Sequence, residues 1–110
     1  MPRFYEPETI SYAAIDAATS GDNTLVAAVT SRRIRVHGYV LVSAGTVTVR
    51  FESAASGTAL TGQMTMAVNS VITAPFNPAG WFETVAGELL NLELSGAVSV
   101  DGHLIYSVVP

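Results

Sequence analysis

Apolar and polar residues alternate with a period of two through most of this chain from Thr9 onward, and this pattern constrains the fold more than any other feature. Short alternating runs are separated by segments rich in Gly, Ser, Asn and Pro, which favour turns. No segment has the helical periodicity needed for the crossover helix that joins parallel strands. The pattern therefore predicts an all-β antiparallel sandwich or barrel of about eight strands. The predicted strands are Ile10–Asp16, Thr24–Thr30, Ile34–Ser43, Thr46–Ser53, segments near Gln63–Val68 and Val71–Phe76, Glu88–Leu94 and Val98–Val108.

The dipeptide Ala44-Gly45 predicts a β-hairpin, because it lies between two alternating runs. Pairing Ser43 with Thr46 across this loop sets the register of both strands. That register places Val42 opposite Val47 and gives the hairpin one apolar face.

The same register also predicts the cross-strand partners of Gly38 and His37. It places Gly38 opposite Phe51 on the apolar face, where an aromatic ring covers a strand glycine. Gly38→Val is therefore predicted to crowd Phe51 and destabilise the fold. On the other face His37 lies opposite Glu52, so the sequence predicts an exposed histidine that serves as a cross-strand partner.

A second hairpin is predicted near the C-terminus, where a Ser-Gly-Ala loop would place Leu94 opposite Val98. Period two then continues to the end of the chain as one long strand, with Gly102 as a bulge or a point of close approach. Alternatively, Asp101-Gly102 forms a type I′ hairpin turn. Near the N-terminus, Ser20–Asn23 is predicted to be a turn because it reads Ser-Gly-Asp-Asn.

Composition narrows the classes of function. Charged residues make up only 13% of the chain, where about 25% is typical. The surface is therefore covered by small and apolar residues, which is typical of subunits that assemble. A net charge of −4 argues against nucleic acid or an anionic membrane as a partner. The chain has no cysteine, no apolar stretch typical of a transmembrane helix and no secretory signal pattern at its N-terminus, so we expect neither disulfides nor targeting to a membrane.

Residues 1–8 are predicted to form an extended N-terminal arm, followed by a single β-sandwich domain over residues 9–110. Pro2 and Pro7 cannot donate hydrogen bonds to a sheet and favour extended geometry in the preceding residues. Phe4 and Tyr5 then lie on this arm. The arm either folds back on its own domain or contacts a neighbouring subunit.

Candidate catalytic chemistry is sparse. The two histidines, His37 and His103, have no spacing that suggests a metal site. Glu83, Glu88 and Glu93 are the carboxylates that could serve a glycosidase, but Glu93 alternates with core leucines and Glu88 enters a strand. No nucleophile elbow or phosphate-binding loop occurs. The sequence therefore predicts a protein without catalysis, without a cofactor and without a bound metal.

Two groups of residues are candidate partner interfaces. Arg32, Arg33 and Arg35 form the one concentrated cluster of charge in the sequence. Arg33 and Arg35 share a strand face, which suits binding to carboxylates on a neighbouring subunit. A solvated strand entry is the alternative. Trp81 and Phe82 follow a Pro-containing turn, and they either close one end of the sandwich or form an exposed anchor for a partner.

Structural segments spread over about residues 15–108 carry a family resemblance, and none of them is a catalytic motif. These segments are 21–29, 34–36, 38–42, 47–53, 75–84, 87–88, 90–92, 95–98, 102–104 and Tyr106. In these segments the chain resembles a group of small β proteins from tailed bacteriophages.

The resemblance implies a jelly-roll-like antiparallel β-sandwich and a capsid decoration, or cement, protein that binds the outer capsid surface as a homotrimer. Its partners would be further copies of itself and the major capsid protein, and it would be made in the host cytoplasm and located in the virion. The alternative that it implies is a receptor- or carbohydrate-binding module of a head or tail fibre.

Overall fold

The computed structural model describes residues 9–110, and within that range the chain forms ten β-strands and no helix. The predicted arm over residues 1–8, with Phe4 and Tyr5, lies outside the described residues. Because residues 9–110 form no helix, this range contains no helix that could cross a membrane. The strands are β1 (Ser11–Ala17), β2 (Gly21–Val26), β3 (Arg33–Ser43), β4 (Val47–Ser53), β5 (Thr58–Ala59), β6 (Met64–Met66), β7 (Val71–Ala74), β8 (Phe82–Glu83), β9 (Leu90–Leu94) and β10 (Val100–Val109).

Two antiparallel sheets form the fold. Sheet I has the order β1-β10-β3-β7, with β8 beside β7 along the same edge of β3. Sheet II has the order β2-β9-β4-β5, with β6 beside β5 along the same edge of β4. Successive long strands alternate between the sheets, so β1 and β3 lie in sheet I whereas β2 and β4 lie in sheet II. Because two short strands share one edge in each sheet, each sheet has four rows of strands. Two packed antiparallel sheets with this strand order form a jelly roll, which confirms the predicted fold class.

The core lies between the sheets and is built from the alternating residues that face inward. Phe51 is at its aromatic centre, where its ring packs against Tyr39 at a centroid distance of 4.7 Å and against Phe82 at 5.1 Å. The buried members of the core are Ile15, Ala17, Ile34, Val36, Tyr39, Leu41, Val47, Val49, Phe51, Met66, Leu90, Leu92, Leu94, Val100 and Leu104.

The predicted hairpin at Ala44-Gly45 is wrong, because β3 and β4 belong to different sheets. Val42 pairs with Asp101 and Val71 in sheet I. Val47 pairs with Met66 in sheet II. The alternation identifies the buried face of β4 but not that of β3, because Val42 is exposed whereas Leu41 and Tyr39 are buried in the core. It also does not identify the strand that is hydrogen-bonded.

The C-terminal hairpin is wrong for the same reason, since β9 lies in sheet II and β10 in sheet I. Leu94 pairs with Gly21 and Val49 rather than with Val98. Gly21 is thus part of β2, and so are Asp22 and Asn23, so the turn predicted at Ser20–Asn23 is wrong for three of its four residues.

The long final strand is confirmed as β10, and the alternative turn at Asp101-Gly102 is wrong. Gly102 is a point of close approach: a Cβ atom there would overlap the carbonyl oxygen of Val40 on β3. The bulge of this strand pair lies elsewhere, because Ile105 pairs with Gly38 while Tyr106 pairs with Val36.

Candidate functional site

The arginines of β3 lie on the outer face of sheet I, because Ile34 between them is buried in the core. Arg35 is opposite Glu83 on β8, and its Nε and Nη2 atoms are both 3.1 Å from Glu83 Oε1. Arg33 Nε is 3.7 Å from Glu83 Oε2, and Arg33 Nη1 donates to the Thr84 carbonyl at 3.3 Å. The carboxylate that the sequence placed on a neighbouring subunit is thus supplied by the same chain.

A tight turn places aromatic residues beside this ion pair. The amide of Gly80 donates to the Asn77 carbonyl at 2.9 Å, and the amide of Ala79 donates to Asn77 Oδ1 at 3.0 Å. Asn, Pro and Gly occupy the first, second and fourth positions, as type I turns favour. Gly80 has a φ of +85°, and a Cβ atom there would lie 2.6 Å from Arg35 Cγ. The Arg35 side chain therefore crosses this turn.

Trp81 follows the turn and remains half-exposed at 48% of its surface. Its backbone amide donates to the Val36 carbonyl at 2.8 Å, and its indole Nε1 donates to the Pro75 carbonyl at 2.8 Å. Both hydrogen bonds hold the ring in one orientation. Because the indole N–H is already bonded, the exposed part of Trp81 is predominantly hydrocarbon.

Phe76 is 51% exposed and stacks on His37, with ring centroids 5.5 Å apart. His37 itself is buried, and its Nδ1 and Nε2 atoms lie 2.9 Å from the Asn77 carbonyl oxygen and 2.8 Å from Ser107 Oγ. The prediction of an exposed His37 opposite Glu52 is therefore wrong. His37 is the extra residue of the bulge in β3, which turns it away from the alternating pattern.

Phe82 faces inward and packs on the ring of Phe51, so it belongs to the core and not to the exposed surface. The two interpretations offered for Trp81 and Phe82 therefore apply to different rings. Phe82 closes the core, whereas Trp81 remains accessible. Arg32 is exposed, and within residues 9–110 its guanidinium has no ion pair.

The structure thus brings together three of the predicted interface residues, the aromatic residue Phe76 and the carboxylate of Glu83. We call this surface the aromatic–arginine patch. It consists of Arg33, Arg35, Phe76, Trp81 and Glu83.

A second polar cluster lies on the outer face of sheet II. Glu52 is fully buried there, and its carboxylate accepts hydrogen bonds from Arg50 Nε at 2.6 Å and from Asn91 Nδ2 at 2.9 Å. Glu52 raises the pKa of the Arg50 guanidinium through this hydrogen bond. Asn91 Nδ2 also donates to Asp22 at 2.8 Å. Among the described residues, Asp22, Glu52 and Glu93 are the carboxylates close enough to share a metal ion, with oxygen atoms within 4.8 Å of one another.

Internal donors already engage these carboxylates, which gives the cluster a structural role. Ser56 donates to Asp22 twice, from its backbone amide at 2.9 Å and from its hydroxyl at 2.8 Å. These bonds fasten the loop after β4 to β2.

The Asp22–Ser56 contact predicts sensitivity to acid. The hydroxyl and amide of Ser56 lower the pKa of Asp22, against a smaller opposing effect of desolvation, and Asn91 lowers it further. Because the folded pKa is depressed, the contribution to stability is present above the unfolded pKa of about 4 and is lost as the pH falls through the folded value. We expect Ser56→Ala to flatten the fall of melting temperature below about pH 4.

The control for this variant is Ser99→Ala, since Ser99 is exposed and its hydroxyl contacts no carboxylate among residues 9–110. Thermal melts of both variants between neutral and acidic pH check the prediction. An unchanged acid slope in Ser56→Ala would show that the Asp22 contact does not form in solution.

No protein-family model, no curated protein and no solved structure matches this chain. The arguments about its function therefore rest on the residues of the jelly roll itself.

Proposed function

We propose that this protein is a structural component of a bacteriophage virion, a decoration protein that binds the outer capsid surface as a homotrimer and acts by adhesion without catalysis. The observation that carries the proposal is the pair of exposed valines, Val42 and Val71, on the outer face of sheet I. A fold alone does not assign a function, although jelly rolls are common in virion proteins. The sequence resemblance described above supports the same assignment.

The outer face of sheet I has two exposed rows whose composition suits a contact surface. In one row Val71 pairs with Val42, with exposed fractions of 60% and 39%, and Asp101 and Asp16 continue the row on β10 and β1. In the next row Thr73 pairs with Val40, which pairs with His103 on its other side. Exposed apolar residues that cluster on one face mark interaction sites in soluble proteins.

Adhesion over a repeated lattice does not require a strong individual contact. A stable protein interface buries at least about 1,000 Å². A trimer that binds a symmetric site presents the same face three times, and the linked contacts raise the overall affinity by avidity. The low charge of the chain, 13% of its residues, reduces the cost of removing water from such a face.

Electron microscopy of particles produced by the genome that encodes this chain tests the location directly. We expect label or extra density spread over the head, with threefold units. Label confined to the tail or to fibres would instead support the receptor-binding alternative. Absence from the particles would refute a virion role.

A variant of the outer face tests the surface that we assign. We expect Val71→Asp to reduce co-sedimentation with empty capsids at least about tenfold, because it adds a charge that must be desolvated on binding. Thr65→Asp is the matched control, since Thr65 is an exposed strand residue of sheet II. Both variants should keep the wild-type melting curve. Equal capsid binding by the two variants would show that sheet I does not form the contact.

A further inference from the structure

We propose that the aromatic–arginine patch binds an acidic sugar, a pyranose ring with a carboxylate group, within a polysaccharide. This binding activity is additional to capsid adhesion and does not depend on where the protein lies in a virion. Three observations support it: the fixed positions of the two rings, the partly engaged guanidinium of Arg33 beside them and the acidic net charge of the chain.

The two rings are held in place before any ligand binds. Trp81 is fixed through its backbone amide and its indole N–H, which reach the carbonyls of Val36 and Pro75. Phe76, the residue after Pro75, is supported from below by the buried ring of His37. Two half-exposed rings on one tight turn therefore form a rigid apolar surface. Rigid aromatic side chains offer contact area at a low cost in conformational entropy.

The guanidinium of Arg33 beside the rings is only partly engaged within residues 9–110. Arg33 contacts the carboxylate of Glu83 through Nε, and its Nη1 donates to the Thr84 carbonyl. Its side chain is 40% exposed, and within the described range its Nη2 has no hydrogen bond or ion pair. A guanidinium binds a carboxylate through two parallel hydrogen bonds. The patch can thus hold the carboxylate of a ligand next to a surface that packs against its apolar ring face.

The charge distribution favours an acidic sugar over a nucleic acid. Arg33, Arg35 and Glu83, the charged residues of the patch, carry a net charge of +1, so the rest of a chain with net charge −4 carries −5. A polyphosphate would extend beyond this small patch onto an acidic surface, whereas its affinity requires many phosphate contacts. A sugar with one carboxylate fits within the positive area.

Trp81 is the only tryptophan of the chain, so intrinsic fluorescence reports directly on the patch. The full-length protein is titrated with polygalacturonate, with neutral dextran and with oligothymidylate. We expect polygalacturonate to change the Trp81 emission saturably and to bind at least about tenfold more tightly than either of the other two polymers.

Three variants that keep Trp81 identify the contacts. Phe76→Ala removes one ring and Arg33→Gln removes the exposed guanidinium, and each is expected to weaken polygalacturonate binding at least about tenfold. Tyr12→Ala is the control, because Tyr12 is 74% exposed on β1 and contributes nothing to the patch. It should bind as the wild type does. Melting curves of all three variants verify that the fold persists.

Several outcomes would overturn the proposal. If polygalacturonate does not change the fluorescence emission of Trp81, the patch binds no acidic sugar. Equal affinity for dextran removes the role of the carboxylate, and tighter binding of oligothymidylate replaces the sugar with a nucleic acid. Unchanged binding by a folded Arg33→Gln variant excludes the guanidinium contact.

Discussion

The Gly102→Ala variant is expected to lose a large part of the free energy of folding. Gly102 lies on β10, a central strand of sheet I that is paired with β1 on one side and with β3 on the other. A Cβ atom at this position would overlap the carbonyl oxygen of Val40 and lie 2.8 Å from its carbonyl carbon. These are backbone atoms, so no side-chain rotation can relieve the overlap.

The expected loss combines two effects. Gly102 has a φ of +154°, which residues with a side chain rarely adopt and which costs about 1–3 kcal/mol. Separating β10 from β3 to admit a methyl group costs about as much again. The sum, on the order of 4 kcal/mol, is a large part of the 5–15 kcal/mol that typically stabilises a domain.

Gly96→Ala is the matched control, because it adds the same methyl group where no atom lies within 4 Å. Urea titrations of both variants give the free energies of unfolding. We expect Gly96→Ala to stay within about 0.5 kcal/mol of the wild type. If the urea titration of Gly102→Ala superimposes on that of the wild type, β3 and β10 are farther apart in solution than in the structure.

Gly102 also illustrates which parts of the fold the sequence could predict. Alternation correctly identified the long final strand and the inward positions of β4 and β9, because a core between two sheets requires one apolar face on each strand. It failed for the partners of β3, where Val42 pairs with Val71 rather than with Val47. Hydrogen-bond partners in a jelly roll are distant in the chain, so a local pattern does not contain them.

The candidate site shows the same limit at the scale of single residues. Arg33 and Arg35 do share the outer face of β3, as the period of two predicts. Their partner Glu83 is 48 positions from Arg35 and lies on a two-residue strand, which is too short to show any periodicity. His37 could not be placed, because neither the bulge at this residue nor its burial beneath Phe76 leaves a mark in the alternation.

Phe51→Ala is expected to destabilise the protein by about 3–5 kcal/mol, the usual cost of removing a buried phenylalanine ring. Phe51 is fully buried and contacts the rings of Tyr39 and Phe82, so the cavity would open at the aromatic centre of the core. Phe76→Ala is the matched control, because half of that ring is already in solvent. We expect it to cost less than half as much in the same urea titration. Equal losses in the two variants would contradict the central position of Phe51.

A double-mutant cycle between Gly38 and Phe51 then separates the observed register from the hairpin register. In the structure a Cβ atom on Gly38 would lie 3.0 Å from the Ala74 carbonyl oxygen and 3.4 Å from Phe76 backbone atoms, on the outer face of sheet I. Gly38→Val should therefore destabilise the fold because the valine side chain crowds the backbone of Ala74 and Phe76, and not because it crowds Phe51. The cost of Gly38→Val and that of the milder Phe51→Leu should add within about 0.5 kcal/mol. In the hairpin register Gly38 would lie opposite Phe51, and the smaller leucine would relieve the crowding by the valine. If Phe51→Leu rescues the stability of Gly38→Val, the assignment of β3 and β4 to different sheets is contradicted.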